Sequence, residues 1–367
     1  MRWDTLRLAG EAGQDFAAAP ALFDLASVTR TFDTPGFRGM TFHEVHAKTI
    51  ISKVPEASRV PFRWTINPYR GCSHACRYCF ARNTHTYLDF DAGRDFDTQI
   101  VVKVNAPELL RRELAAARWR GEHIAMGTNV DCYQRAEGRY QLMPGIIRAL
   151  TEAANPFSIL TKGTLVLRDI DLLAEAAEVT EVGLNVSVGI IDKELSRLIE
   201  SGAPAPERRL AACAALNQRG LACGVLMGPV VPYLSDSPAE LDRAVREIAA
   251  TGATHVSPIV LHLRPGAREW FLAWLREHHP ELVGPYRDLY GSRAYAPAAY
   301  QRRICEQVAE LAGKYHVGRV TPRAARRVPA ARDARRWPPG LGAQRRDAAA
   351  GEGSGSAAPE PVQLTLL

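Results

Sequence analysis

The stretch that decides the fold is Asn67-Pro68-Tyr69-Arg70-Gly71-Cys72-Ser73-His74-Ala75-Cys76-Arg77-Tyr78-Cys79-Phe80-Ala81-Arg82. It places three thiols in one short loop, with the spacing Cys72-x3-Cys76-x2-Cys79, and thiolates so arranged bind soft metal centres. A structural zinc site needs a fourth protein ligand, usually from a second Cys or His pair, and no such pair follows at finger-like spacing. A cubane iron–sulfur cluster held by three thiolates keeps one iron open for a further ligand. The loop therefore favours an iron–sulfur cluster over zinc.

The cysteine spacing, with the aromatic Tyr78 before the third cysteine, resembles the CxxxCxΦC motif of the radical S-adenosylmethionine (SAM) superfamily. The flanks resemble the branch of that superfamily often labelled DNA repair photolyase, which is distantly related to spore photoproduct lyase. They are Asn67-Pro68-Tyr69-Arg70-Gly71-Cys72 before the loop and Gly127-Thr128-Asn129-Val130-Asp131-Cys132-Tyr133-Gln134 after it. The resemblance extends over about residues 36–320.

This resemblance implies a radical SAM enzyme whose cofactors are a [4Fe-4S] cluster, held by Cys72, Cys76 and Cys79, and S-adenosyl-L-methionine. In such enzymes the reduced cluster gives an electron to the sulfonium of SAM, and the resulting 5′-deoxyadenosyl radical takes a hydrogen atom from the substrate. The resemblance also implies an external low-potential electron donor, a flavodoxin or ferredoxin. The branch favours a lyase-like DNA repair reaction on nucleic acid. The alternatives are a protein or small-molecule substrate, or a non-catalytic iron–sulfur protein that binds nucleic acid.

Strand-like and helical patterns alternate from about residue 62 to residue 262. The predicted strands are 62–67, 123–127, 157–161, 182–188, 221–227 and 256–261, and the predicted helices are 107–119, 144–154, 169–177, 192–199, 207–218 and 238–250. Six such βα units predict an α/β fold with a parallel sheet, and the resemblance implies a partial (β/α)6 TIM-like barrel. A doubly wound open sheet would give the same alternation. In a barrel, the chemistry lies at the carboxyl ends of the strands, which places the cysteine loop at the mouth.

Composition divides the chain into an N-terminal extension at 1–35, a radical SAM domain at 36–320 and a disordered basic tail at 321–367. Arginines crowd a Pro- and Ala-rich run in the tail, which favours contact with nucleic-acid phosphates, although a GC-rich genome also raises arginine content. A Gly/Ser linker then leads to Gln363-Leu364-Thr365-Leu366-Leu367, which resembles the peptide that binds the bacterial sliding clamp.

The overall composition suits an enzyme of the cytoplasm. The chain has 367 residues, of which 46% are hydrophobic, and a net charge of +6. Seven irregularly spaced cysteines do not predict a disulfide framework and favour a reducing compartment. The start does not resemble a signal peptide, and no apolar run reaches the roughly 18 residues of a membrane span, so we expect no membrane association.

Glycines and polar residues at the predicted strand ends are candidate cofactor-binding residues. Gly127 and Thr128 end the second strand, where glycine allows the backbone to approach the amino group of SAM. Lys162 ends the third strand and can reach a carboxylate, and Ser187 ends the fourth and can bond a ribose. Both residue types occur at similar places in spore photoproduct lyase. Pro229, after the fifth strand, is the expected adenine edge.

Tyr78 and Cys132 are given roles by their neighbours in the motifs. Tyr78 lies beside the predicted cluster and should pack on the cofactor rather than act as an acid. Cys132 is the candidate catalytic residue, because a cysteine is thought to return a hydrogen atom to the product radical in spore photoproduct lyase. The alternative for Cys132 is a small apolar filler.

Three further groups of residues have weaker signals. The loop after the second strand is expected to face substrate through Asp131, Tyr133, Gln134 and Glu137. After the sixth strand, His262 and Arg264 face either a substrate phosphate or carboxylate, or solvent. The pair His43 and His46 lacks the i, i+4 spacing of helical metal motifs, which predicts packing or a binding groove instead.

Overall fold

The computed structural model describes residues 6–7, 27–56, 58 and 60–318 of the chain. Its strands are β1 (Leu6–Arg7), β2 (Ser27–Thr31), β3 (Thr41–Ala47), β4 (Ile51–Lys53), β5 (Trp64–Ile66), β6 (Tyr69–Arg70), β7 (Gln99–Lys103), β8 (Ile124–Met126), β9 (Phe157–Thr161), β10 (Val182–Ser187), β11 (Cys223–Val230) and β12 (Val256–Val260). Its α-helices are α1 (Arg94–Thr98), α2 (Ala106–Ala115), α3 (Arg135–Tyr140), α4 (Leu142–Glu152), α5 (Ile170–Val179), α6 (Lys193–Ile199), α7 (Pro206–Gln218), α8 (Pro238–Ala250), α9 (Ala267–His278), α10 (Val283–Tyr290) and α11 (Ala298–Lys314).

The main sheet has the strand order β12-β11-β10-β9-β8-β5-β4. Six strands of this sheet run parallel to one another, namely β5, β8, β9, β10, β11 and β12. Strand β4 pairs antiparallel with β5 at the edge of the sheet. The strands follow each other in the sheet in their sequence order, as in a barrel that has not closed. The predicted α/β class with a partial (β/α)6 TIM-like barrel is therefore confirmed, and all six predicted strands are present.

Burial explains why these segments form strands and helices. Strand β11 is buried along nearly its whole length, as expected for a parallel strand covered on both faces. Helix α8 begins where Ser237 Oγ accepts a hydrogen bond from the Glu240 amide at 3.2 Å, with Pro238 in its first turn. Its buried residues Leu241, Val245 and Ile248 recur at helical spacing and pack in the core.

A second sheet, which the sequence did not predict, covers the N-terminal part of the barrel. Strand β3 pairs antiparallel with β1 and β2 and parallel with β7, and β7 also pairs with β6. Strand β2 (Ser27–Thr31) lies within the segment 1–35 that was interpreted as a loose extension, so the ordered domain begins before residue 36. Local periodicity missed this sheet because β3 and β7 are far apart in the sequence.

Helix α11 packs against α8 and β12 and ends the described part of the chain near residue 318. The arginine-rich tail at 321–367 and the peptide Gln363–Leu367 lie outside the described residues, and the predictions about them remain predictions. Among the described residues, no helix combines the length and apolar character needed to cross a membrane.

Candidate functional site

The three thiols of the cysteine loop, residues 71–79, line one cavity at the carboxyl ends of strands β8 to β12. Cys72, Cys76 and Cys79 are all free, and the first two are only 7% and 8% exposed. The space enclosed by the residues that line this cavity is about 810 Å³ when its open mouth is included.

The chemistry of these thiols fits an iron–sulfur cluster. Burial raises the pKa of Cys76 to about 12 and also raises the pKa of Cys72 and Cys79, so each thiol keeps its proton until a positive centre replaces it. Three thiols that line one cavity are the soft donor set that an iron–sulfur cluster takes.

Backbone geometry and one buried amide shape the cysteine loop. Gly71 has a φ of +77°, and a Cβ there would lie 2.8 Å from the Gln99 carbonyl oxygen, so only glycine fits. Gln134 accepts a hydrogen bond from the Ser73 amide and donates one to the Gly71 carbonyl, both at 2.9 Å. Arg82 donates to the Cys76 carbonyl through Nε and Nη2, at 3.2 and 2.9 Å.

The segment after α6 holds the other side of the loop. The Arg77 amide donates to Ile199 O at 2.9 Å, and the Gly202 amide donates to His74 O at 3.0 Å. A Cβ at Gly202 would lie 1.9 Å from the Ser73 carbonyl oxygen, so this close approach requires glycine. The cysteine loop is thus fixed by two chain segments distant in sequence.

A buried contact between His74 and Asp131 links the cysteine loop to the ends of β8 and β9. His74 Nδ1 lies 3.3 Å from Asp131 Oδ2, and Asp131 also accepts hydrogen bonds from Thr161 Oγ1 at 2.7 Å and the Lys162 amide at 2.6 Å. Burial alone would raise the pKa of Asp131, but the His74 charge and these hydrogen bonds outweigh it and lower the pKa to about 2. Asp131 is therefore ionised in the cavity wall.

Lys162 and Ser187 are brought together by the parallel pairing of β9 and β10. Lys162 Nζ donates to Ser187 Oγ at 2.7 Å and to the Gly228 carbonyl at 3.2 Å, and Ser187 Oγ donates to the same carbonyl at 3.0 Å. The ammonium also lies 5.8 Å from the ring centroid of Tyr78. These side chains provide a positive charge and a hydroxyl group in the cavity wall beside the thiols.

Behind this wall, Glu200 and Arg209 form a fully buried ion pair. The Tyr78 hydroxyl donates to the same carboxylate, and Lys162 Nζ lies 3.7 Å from it. Burial alone would raise the pKa of Glu200, but the charges of Arg209 and Lys162 with the hydrogen bonds from Arg209 and Tyr78 lower it to about 2. Tyr78 is thereby fixed by a charged acceptor beneath the cavity.

The remaining candidate cofactor residues also line the cavity. They are Gly127, Thr128 and Pro229. Gly127 has a φ of +75°, and a Cβ there would lie 1.8 Å from the Leu160 carbonyl oxygen. The close approach of β8 to β9 at this point therefore requires glycine.

The loop after β8 departs from its expected role as a substrate-facing loop. Only Asp131 lines the cavity, whereas Tyr133, Gln134 and Glu137 are buried and paired with protein groups. Tyr133 donates to Asp169 at 3.0 Å, and Glu137 pairs with Arg168 at 2.6 Å. Sequence reasoning took these polar residues as exposed, but each one stabilises the packing of this loop.

Cys132, the candidate hydrogen-atom donor, is fully buried and is not among the residues that line the cavity. Burial, with the nearby Asp131 charge, raises the pKa of its thiol well above the usual range. This placement favours the packing alternative. Cys213 and Cys223 also lie in the core, and the His43 ring is hydrogen-bonded to the Gln99 side chain at 2.9 Å.

Sequence reasoning missed His74, Glu200 and Arg209. In the sequence, Glu200 lies at the end of a predicted helix, and Arg209 is one of two adjacent arginines on another predicted helix, so neither residue stands out. Only His74 had a detectable signal, since it lies inside the cysteine motif. His262, in contrast, was singled out and does line the cavity.

Sequence relatives share most of this chain. The family model of the radical SAM superfamily matches residues 66–254. An uncharacterized protein of Mycobacterium tuberculosis, Rv2578c, is 53% identical over 303 residues, which cover 83% of this chain and 89% of that protein. An uncharacterized protein of Methanocaldococcus jannaschii, MJ0683, is 31% identical over 185 residues, covering 50% of this chain and 65% of that protein.

Solved structures share the fold at low sequence identity. A variant of spore photoproduct lyase matches with a TM-score of 0.57 and 13% identity, over 75% of this chain and 79% of that one. Another variant, with bound AdoMet and dinucleoside spore photoproduct, matches with a TM-score of 0.56 and 13% identity, over 73% and 77% of the two chains. With the family match and the close mycobacterial relative, the assignment follows: the chain belongs to the radical SAM superfamily and is a radical SAM enzyme, with a [4Fe-4S] cluster and SAM as its cofactors.

Proposed function

We propose that this radical SAM enzyme acts on nucleic acid in a repair-like reaction, with the cluster held by Cys72, Cys76 and Cys79. The observation that carries the proposal is that these thiols share one cavity with the Lys162–Ser187 pair. Spore photoproduct lyase, which has the same fold, is solved with bound dinucleoside spore photoproduct, and this supports a nucleic-acid substrate here. Seven free cysteines suit the reducing cytoplasm that we propose as its location.

The cluster and SAM, when bound, supply one-electron chemistry that begins on a carbon–hydrogen bond of the substrate. The residues of the chain bind and orient. Lys162, held by Ser187 and Gly228, offers its ammonium to a carboxylate, and Ser187 offers a hydroxyl to a ribose. Gly127, Thr128 and Pro229 complete the wall. Tyr78 packs at the cofactor. Its hydroxyl keeps its proton, because it donates a hydrogen bond to the Glu200 carboxylate.

A radical SAM enzyme needs an electron donor, and we propose a flavodoxin or ferredoxin for that role. Dithionite replaces this donor in the test of the proposal. The full-length protein is reconstituted with iron and sulfide without oxygen, and 5′-deoxyadenosine is measured with SAM and dithionite. Wild type should bind iron and form 5′-deoxyadenosine, and Cys76→Ala should lose both. The matched control is Cys305→Ala, a half-buried cysteine on α11 that should keep full iron content.

The nucleic-acid part is tested with damaged and undamaged single-stranded oligonucleotides added to the same assay. We expect at least one of them to increase 5′-deoxyadenosine formation and to change in mass. Iron retained in Cys76→Ala would refute the three-cysteine site. No response to any oligonucleotide, with SAM cleavage intact, would reject nucleic acid as the substrate while leaving the radical chemistry in place.

A further inference from the structure

One wall of the cavity is built by the chain after β12 and by the first residue after the cysteine loop. His262 forms an antiparallel bridge with Tyr295, and the Leu263 amide donates to the Ala294 carbonyl at 2.7 Å. The ring of His262 lies 5.5 Å from that of Phe80 and 5.5 Å from that of Tyr295, centroid to centroid. Three aromatic rings are therefore packed together, and two of them, Phe80 and His262, line the cavity.

His262 has an unsatisfied polar atom in this wall. Its side chain is 8% exposed, and its Nδ1 atom is buried with no hydrogen-bond partner among the described residues. Burial, with the nearby Arg264 charge, lowers the pKa of His262 to about 4, so the imidazole is neutral near pH 7. A buried polar atom without a partner destabilises the fold unless a ligand or water satisfies it, and the residue that carries this atom lines the cavity.

Arg264 brings a positive charge beside the Phe80 and Tyr295 rings, next to the residues that line the cavity. Its Nε and Nη2 atoms donate to the Tyr295 hydroxyl at 3.2 and 2.7 Å, which fixes the plane of the guanidinium. The same group lies 6.0 Å from the Phe80 ring centroid and 5.9 Å from that of Tyr295. Among the described residues, Arg264 has no carboxylate partner within ion-pair distance, so its charge is available to an anion.

We propose that Phe80, His262 and Arg264 form a subsite for one unstacked nucleotide of a nucleic acid. The base packs between the apolar and aromatic surfaces of Phe80 and His262, and His262 Nδ1 is hydrogen-bonded to the edge of the base. Arg264 binds the adjoining phosphate. This inference rests on the proposed nucleic-acid substrate and names the residues that recognise it. A neutral imidazole suits a base edge better than a phosphate, and a base must leave its stack before a buried atom can react. Aromatic rings with a neighbouring arginine are the usual means of holding such a base.

The test uses the full-length reconstituted protein and a single-stranded 12-mer with one 2-aminopurine, a fluorescent base whose emission falls when it stacks. Binding is titrated at about 0.2 M salt with saturating SAM, so that the adenine of SAM cannot be mistaken for the probe. Wild type should quench the emission. His262→Phe, which keeps the ring and removes Nδ1, should weaken the quenching interaction about tenfold, as expected for one lost hydrogen bond. Arg264→Gln should weaken it by a similar factor.

A second probe with an abasic site in place of 2-aminopurine separates base from phosphate recognition, with anisotropy of an end label as the readout. His262→Phe should bind this probe as wild type does, whereas Arg264→Gln should still bind it more weakly. The matched controls are His279→Phe and Arg276→Gln on the surface near α9, which should not change either titration. Circular dichroism checks that each variant is folded.

Two results would overturn the subsite. The first is that His262→Phe and Arg264→Gln quench the emission as strongly as wild type does. The second is that added SAM abolishes the quenching by wild type, which would assign the wall to the adenine of the cofactor. The proposed function fails on a different result, namely absence of SAM cleavage or of any response to oligonucleotides. The two failures are therefore distinguishable.

Discussion

Glu200 and Arg209 have fully buried side chains, and each is the main counter-charge of the other. Arg209 also donates to the Ser187 carbonyl at 3.1 Å, which places the pair directly behind the cavity wall. Removing one partner of a buried ion pair leaves an uncompensated charge. Arg209→Met should therefore lower the free energy of unfolding by about 3–5 kcal/mol, measured by urea denaturation.

The double variant Glu200→Gln with Arg209→Met is the control for this prediction. It removes both charges, so it should be more stable than Arg209→Met alone. A double variant whose loss equals the sum of the two single losses would show that the two residues act independently, contrary to their geometry.

The same scale shows where sequence reasoning reaches its limit. The cysteines were identifiable because their spacing is local, and Lys162 and Ser187 because strand ends can be located from the pattern. Glu200 and Arg209 were not, because in sequence a buried charge on a helix looks the same as a solvated one. The burial of Cys132 could not be predicted either, because its motif is local and its burial depends on the whole fold.

At the scale of elements, strand β8 ends at a glycine that its neighbour requires. A Cβ at Gly127 would clash with the Leu160 carbonyl of β9, in addition to the strain of a positive φ. Gly127→Ala should therefore push β8 away from β9 and lower the free energy of unfolding by about 3 kcal/mol. Urea denaturation measures the loss, and iron uptake on reconstitution should fall with it.

Gly220 provides the matched control, since it has a φ of +90° but an added Cβ would meet no atom within 4 Å. Gly220→Ala should cost about 1 kcal/mol from the backbone alone. Equal losses in the two variants would show that the close approach of β8 and β9 is not what requires Gly127.

The parallel strands were predictable as elements because each is a short apolar run followed by an amphipathic helix. The N-terminal sheet was not, because its central strand β3 pairs with β7 across the whole cysteine loop. Pairing between distant segments has no local signature, and β3 is recognisable only once β7 is in place. The sheet matters to the site because the Gln99 carbonyl of β7 packs closely against Gly71 and is hydrogen-bonded to the His85 ring.

At the scale of the whole molecule, stability should depend on pH through histidines buried throughout the fold. Burial lowers the pKa of His85, His123 and His262 to about 4, against about 6.5 in an unfolded chain. The unfolded state then binds more protons than the folded state between these two values. Stability from these residues is present above pH 6.5 and is lost as the pH falls through 4.

Carboxyl groups with a raised pKa oppose this trend. Burial raises the pKa of Asp97 to about 6 despite its ion pair with Arg82, and it also raises the pKa of Asp95 and Glu137, so these groups add stability as the pH falls. Burial lowers the pKa of His43 and His255 as well, so the slope of stability near pH 5 is the balance of several groups. Because acid also releases iron, the decisive quantity is a difference between variants. His85→Gln keeps a donor for the Gln99 carbonyl but cannot be protonated, so its slope should be shallower than wild type by about 1.4 kcal/mol per pH unit. A wild-type slope in His85→Gln would mean that the imidazole of His85 takes up its proton without unfolding, and that burial does not hold it neutral.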